Sequence, residues 1–243
     1  MSNPAFTRKE NSFRTAPLDG ATMTYDDVIV KTLLTMGVLV ATGVVGWMFP
    51  ALAPVGAGVA FIIGLVAVFK RNPSAVLTLA YAAFEGLAVG GVSKIFETTY
   101  PGIVLQAVIG TVAVLGATLV AFKFGGFRAT PAMMKMLLVA MIGYLVYSVV
   151  NLMLVAFHVV NTPFGISSMH IPGTSIPIGV VVGLVVVVMA AFNFIVDFTV
   201  IEDDVKSGAP ANQAWYNAFG LMLTIVWLYL EMLKLLALLR GDD

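Results

Sequence analysis

The sequence predicts an all-α membrane protein with seven transmembrane helices, and three observations predict it. Of 243 residues, 60% are hydrophobic and only 11% are charged. A soluble domain of this length must wet its outside and cannot hide that much apolar surface. The apolar residues are also gathered into runs of about 20, the length that crosses a bilayer as a helix. Finally, the basic residues are distributed unevenly over the breaks between runs. With the N-terminus inside, Arg8, Lys9, Arg14, Lys31, Lys70, Arg71, Lys123, Arg128, Lys135 and Lys206 fall on the cytoplasmic side, and Lys94, Lys234 and Arg240 fall outside. That bias follows the positive-inside rule, and losing or gaining one span would spoil it.

The spans run over 28–48, 52–69, 75–95, 102–122, 132–157, 175–201 and 213–239. Thr24 stands three residues before Asp27, a capping-box spacing that starts the first helix with acidic residues in its first turn. Pro50 and Pro54 mark the first turn, "KRNPSA" the second, Pro101 the third and "KFGGFRATP" the fourth. A longer loop, "HVVNTPFGISSMHIPGTSIP", precedes the sixth span, and "EDDVKSGAPANQ" precedes the seventh. Residues 1–24 lack the apolar core of a signal peptide and read as a disordered cytoplasmic tail. The chain is therefore expected to divide into that tail and a transmembrane domain over 25–243. Gly86-x-x-x-Gly90 and Gly179-x-x-x-Gly183 are spacings that let two helices approach closely.

Other classes are disfavoured by what the chain contains. Net charge is zero and no basic stripe interleaves with aromatics, so no nucleic-acid partner is expected. There is no cysteine, which excludes disulfides and thiolate metal sites. No Gly-x-Ser-x-Gly elbow, His-Glu-x-x-His pair or paired Gly-x-Gly-Asp signature is present, and no enzymatic activity is expected. His158 and His170 share one loop without neighbouring acids, a weak basis for a metal site. Lys234 and Glu85 superficially match a retinal protein, but a lysine so near a span's end is ordinarily a snorkelling amine.

Three acids stand inside the apolar runs: Glu85 near the middle of the third span, Asp197 about 7 Å inside the cytoplasmic end of the sixth, and Glu231 in the outer half of the seventh. Acids in lipid-embedded helices normally face the bundle interior or a water cavity and mark an ion or proton path. Each also has a purely structural reading. Glu85 would be a protonated donor between helices, Asp197 an interfacial helix end continuous with "EDD", and Glu231 the partner of Lys234 one turn along.

The motifs carrying these acids resemble the Bax inhibitor family (transmembrane Bax inhibitor motif proteins). "AAFEGLAVGGV" is similar to the family's third-helix "ALEGLxLG", "FIVDFTVIE" to its sixth-helix Asp segment, and "LYLEMLKLL" to its last-helix "LYLDxxNLF". The start, "MTYDDVIVKT", resembles the branch found in actinobacteria. The resemblance covers most of the chain from Thr24 onward. It implies a seven-helix bundle with the last helix central, in the bacterial cytoplasmic membrane; the charge bias and the odd number of spans place the N-terminus inside and the C-terminus outside. It also implies a pH-sensitive calcium or other cation leak, gated by a hydrogen-bonded pair of acids on the last two helices and an arginine latch. Asp197 matches the first acid, Lys70 or Arg71 the latch, and Glu85 the third-helix acid. Resident cofactors are not expected, and calcium would bind only transiently.

The second acid has two candidates. By motif it is Glu231, yet with the last helix begun near Gln213 that residue lies about 27 Å along it, beyond reach of Asp197. A gap-free register instead places Thr224 there, about 16 Å along, able to hydrogen-bond but not to share a proton. A flat interfacial "QAWYNAF" would let Glu231 enter later. A different class of function is also open: a non-conducting regulator whose N-terminal tail binds a membrane protease or stress-response partner.

Overall fold

The computed structural model describes residues 21–69, 74–162 and 164–241. Seven helices long and apolar enough to cross a membrane follow one another: α1 (Tyr25–Met48), α2 (Ala53–Phe69), α3 (Ala75–Thr99), α4 (Ile103–Phe124), α5 (Pro131–Ala156), α6 (Ile178–Lys206) and α7 (Gln213–Arg240). Short 3-10 turns occur at Pro50–Leu52 and Gly165–Ser168. The protein is an all-α membrane protein. α7 has the burial of a central helix: 61% of its most apolar window is buried, against none of that of α5.

Local chemistry explains the ends of these helices. The Thr24 side chain accepts from Asp27 N–H at 3.2 Å, and the Asp27 carboxylate accepts from Thr24 N–H at 3.0 Å, completing the expected capping box. The Thr130 side chain caps α5 by accepting from Met133 N–H at 3.2 Å, with Pro131 in the first helical position where its missing N–H costs nothing. Between α3 and α4, the Glu97 carboxylate accepts from Gly102 N–H at 2.6 Å and Val104 N–H at 3.0 Å. An anion is favourable there because the first N–H groups of a helix lack partners.

The chain forms two compact units. The first contains Met1–Lys94 and Asp197–Leu223. In it, α1 and α3 run in the same direction, as helices separated by one returning crossing must. Their contacts advance four residues at a time: Leu39 against Gly86, Gly43 against Gly90, and Trp47 against Lys94. A Cβ on Gly90 would meet the Gly43 carbonyl, with Gly43 C at 2.7 Å and Cα at 2.8 Å behind it. The bare glycine surface lets the backbones touch.

The expected N-terminal tail divides at this unit's edge. Residues 1–20 lie outside the described residues, while Ala21–Thr24 is ordered against the α6–α7 turn. Met23 N–H donates to Ala209 C=O at 2.7 Å, and Ala211 N–H donates to Ala21 C=O at 3.0 Å. The Met23 side chain is buried, and Lys31 Nζ donates to Ala211 C=O at 2.7 Å.

The second unit contains Ile95–Val196 and Thr224–Asp243. Ile103 and Ala107 of α4 are wholly buried with Leu233 and Ala237 of α7. On α6, Gly179 and Gly183 face Leu238 and Leu235 of α7. Leu235 fills the space at Gly183, while Gly179 also admits Ser167, whose carbonyl oxygen lies 2.7 Å from the point where a side chain would begin.

Candidate functional site: intramembrane carboxylates and their partners

Glu85 is half-buried on α3 and shares a side-chain hydrogen bond with Tyr81, one turn earlier on the same helix. Tyr81 is itself buried and packs edge-on against Phe219 of α7, with ring centroids 5.1 Å apart. The phenol donates and the carboxylate accepts, a pairing that needs no counter-ion.

Asp197 is half-buried on α6. Its Oδ1 lies 3.9 Å from the point where a side chain would begin at Gly220 of α7. The missing side chain at Gly220 leaves room for the carboxylate. Two turns further along α6, Asp204 is only 1% exposed and accepts from Asn217 Nδ2 at 3.2 Å and Gln213 Nε2 at 3.4 Å. Sequence reasoning treated "EDD" as a wetted helix end and missed Asp204. The available signal was spacing: Asp204 follows Asp197 by seven residues and so shares its helical face. Asn217 also donates to the Met23 sulfur at 3.5 Å, which ties the N-terminal segment to this cluster.

In the second unit, the Thr224 hydroxyl accepts from Asn193 Nδ2 at 2.6 Å. Glu231 is 8% exposed. Its Oε1 accepts from the Tyr144 hydroxyl of α5, and its Oε2, which has no hydrogen-bond donor, faces Lys234 Nζ at 4.0 Å. Lys234 Nζ also stands 5.9 Å from the centre of the Tyr144 ring. The pairing of Glu231 with Lys234, one of the two readings of that acid, is present, with a phenol as a third member. Lys234 is engaged where a retinal lysine would have to be free for a Schiff base.

Tyr144 belongs to a stripe that sequence reasoning did not single out. On α5, Tyr144, Tyr147, Ser148 and Asn151 are half-buried, while Leu145, Val146, Val149, Val150 and Leu152 are exposed. The spacing i, i+3, i+4, i+7 places the four polar residues on one helix face. The signal was in "GYLVYSVVNL", an amphipathic pattern whose polar side turns inward and whose apolar side faces lipid.

Glu85 is grouped in the first unit with Asp197 and Asp204, and Glu231 and Thr224 in the second. The two latch candidates, Lys70 and Arg71, lie outside the described residues. Among the described residues, no group of three or more His, Asp or Glu side chains is placed to hold a metal ion. His158 and His170 stand in the loop between α5 and α6, His158 with a left-handed backbone (φ 56°) and His170 exposed.

A family model described as "Bax inhibitor 1 like" matches residues 3–241. The chain belongs to the Bax inhibitor family. No curated protein and no solved structure matches it. In this Bax inhibitor family member, the acid of "LYLE" is held by a tyrosine and a lysine, and the acid of "FIVDF" stands beside a glycine.

Proposed function

We propose that this Bax inhibitor family member is a pH-sensitive cation leak pathway of the bacterial cytoplasmic membrane, with calcium as the ion to test. Protonation of its intramembrane acids sets the flux. One observation carries the reading: carboxylates on the membrane helices accept hydrogen bonds from neutral donors, Glu231 with the Lys234 ammonium beside it. Tyr81 serves Glu85, the Asn217 and Gln213 amides serve Asp204, and Tyr144 serves Glu231. Phenols and amides satisfy a carboxylate without fixing its charge. Hard oxygen ligands spaced singly along helices also offer calcium the weak, repeated sites that conduction requires.

The test is reconstitution into liposomes loaded with a calcium-sensitive dye. Flux is expected to be higher at about pH 6 than at about pH 8, since burial favours the protonated carboxyl. No flux at either pH overturns the reading.

A second reading rests on the clasp at the N-terminus. Residues 21–24 are hydrogen-bonded to the α6–α7 turn, and Met23 touches Asn217, a donor to Asp204. A membrane protease or stress-response partner gripping the tail would act on that carboxylate without any conduction. Under this reading, deleting residues 1–22 abolishes the cellular phenotype and Asp197→Asn preserves it. The leak reading requires the opposite.

A further inference from the structure

Tyr147 of α5 has no role in the arrangement described so far. Its hydroxyl lies 2.7 Å from the Ser167 hydroxyl, in the 3-10 turn of the α5–α6 loop. Asn151 locks that turn from the next position of the same stripe: Nδ2 donates to Phe164 C=O at 3.0 Å, and Oδ1 accepts from Ile166 N–H at 2.7 Å. At the other end of the stripe, Tyr144 donates to Glu231 and is hydrogen-bonded to Ser148. The two phenol rings have centroids 6.2 Å apart. Polar hydroxyls thus extend along one face of an otherwise lipid-facing helix, from a buried carboxylate to a loop whose next residues, Met169 and His170, are exposed.

We infer that this stripe is the proton route to Glu231, opening on the membrane side that carries the 157–177 loop. A proton supplied by water on the loop side enters at Ser167, itself wholly buried two residues before the exposed Met169, and passes to Tyr147. One water, bound by the hydroxyls of Tyr147, Ser148 and Tyr144, carries it to Tyr144; three partners suffice to hold a buried water. Tyr144 then delivers a proton to Glu231 Oε1. Each hydroxyl accepts one proton and releases another, so the relay keeps no charge and the net change is one proton on Glu231.

The groups that face Glu231 are few. α5 contributes Tyr144 and, behind it, Tyr147, and α7 contributes Lys234. In this unit, the 178–196 stretch of α6 contains no titratable side chain, and the only one on α4, Lys123, is at its far end. Lys234 is no part of the route.

The inference rests on the reading of Glu231 as a group that titrates, and the experiment separates the two. The full-length protein is placed in oriented proteoliposomes. Infrared difference spectra after a pH jump follow the carbonyl stretch of protonated Glu231, assigned by its loss in Glu231→Gln. In Tyr147→Phe and in Ser167→Ala, the band is expected to appear roughly tenfold or more slowly, in line with the rate a positioned proton carrier contributes. Its midpoint pH should not move, which a merely structural disturbance would not respect. The band should also follow the pH on the loop side. Wild-type kinetics in both variants, or a band that follows only the opposite side, overturns the route while leaving the titration of Glu231 intact. Absence of any band lost in Glu231→Gln overturns both.

Discussion

Gly90→Ala should separate α1 from α3, and the cost follows from the contact. The atoms nearest to a new Cβ belong to the Gly43 backbone, with its carbonyl carbon at 2.7 Å and Cα at 2.8 Å. Carbon atoms settle at about 3.5–4.0 Å, so the helices must part by roughly 1 Å. No rotamer change relieves the clash, because the obstructing atoms are main chain. A gap of that size forfeits about a quarter to a half of each neighbouring contact's attraction. The adjacent approaches of Leu39 to Gly86 and of Gly46 to Leu87 loosen with it. Overpacking of this kind costs about 1–3 kcal/mol, and the upper end is expected here. Gly116→Ala provides the comparison. That glycine lies within α4, is exposed, and has nothing within 4 Å of a new methyl group. Alanine there should gain up to about 1 kcal/mol through helix propensity. Unfolding of the detergent-solubilised protein by titrated dodecyl sulfate measures both. Equal stability of the two variants, or a Gly90→Ala protein as stable as the parent, would refute the backbone-contact account of the crossing.

Asn217→Leu removes an amide donor from a buried carboxylate, and unfolding free energy should fall by about 2–3 kcal/mol in the same titration. Asn193→Val breaks the bond to Thr224, with a loss nearer 0.6 kcal/mol, typical of hydrogen bonds between membrane helices. Removing residues 1–24 should lower the melting temperature measurably, because the Met23 and Ala21 main-chain bonds and the Thr24 cap are lost. In the liposome assay, Glu231→Gln is neutral at every pH and should give calcium flux that changes less with pH than the parent's.

The helices were legible because each is an uninterrupted apolar run bounded by proline, glycine or charge. Their ends were legible where a cap announces itself, as at Thr24. Elsewhere they drifted. α3 continues past Ile95 to Thr99, and α6 continues to Lys206, because a helix leaving the membrane keeps its backbone bonds while its side chains turn polar. The close approach at Gly86 and Gly90 was legible from spacing alone. The acids were visible as charges in apolar runs, but their partners were not. Tyr144, Asn193 and Asn217 come from other segments or turns, and nothing local to Glu231, Thr224 or Asp204 names them. Tail residues 21–24 were misplaced for the same reason, since their main-chain partners lie nearly the whole chain away.

The arrangement of α6 and α7 explains why the acid of the last helix has found a phenol. In the first unit, Asp197 stands opposite Gly220; in the second, Asn193 is bonded to Thr224. Four residues back along α6 correspond to four residues forward along α7, as antiparallel helices require. Continuing by seven from Thr224 reaches Glu231, and seven back from Asn193 reaches Val186, which is 1% exposed and apolar. No polar group on α6 is in position for Glu231. A carboxylate left there without a donor would cost several kcal/mol in hydrocarbon. The donor must then come from another helix, and α5, whose remaining surface faces lipid, supplies it through a tyrosine on its one polar face. The length of the α6–α7 connection determines which residues of the two helices meet, and so moves the last helix's acid away from the sixth helix and onto the fifth.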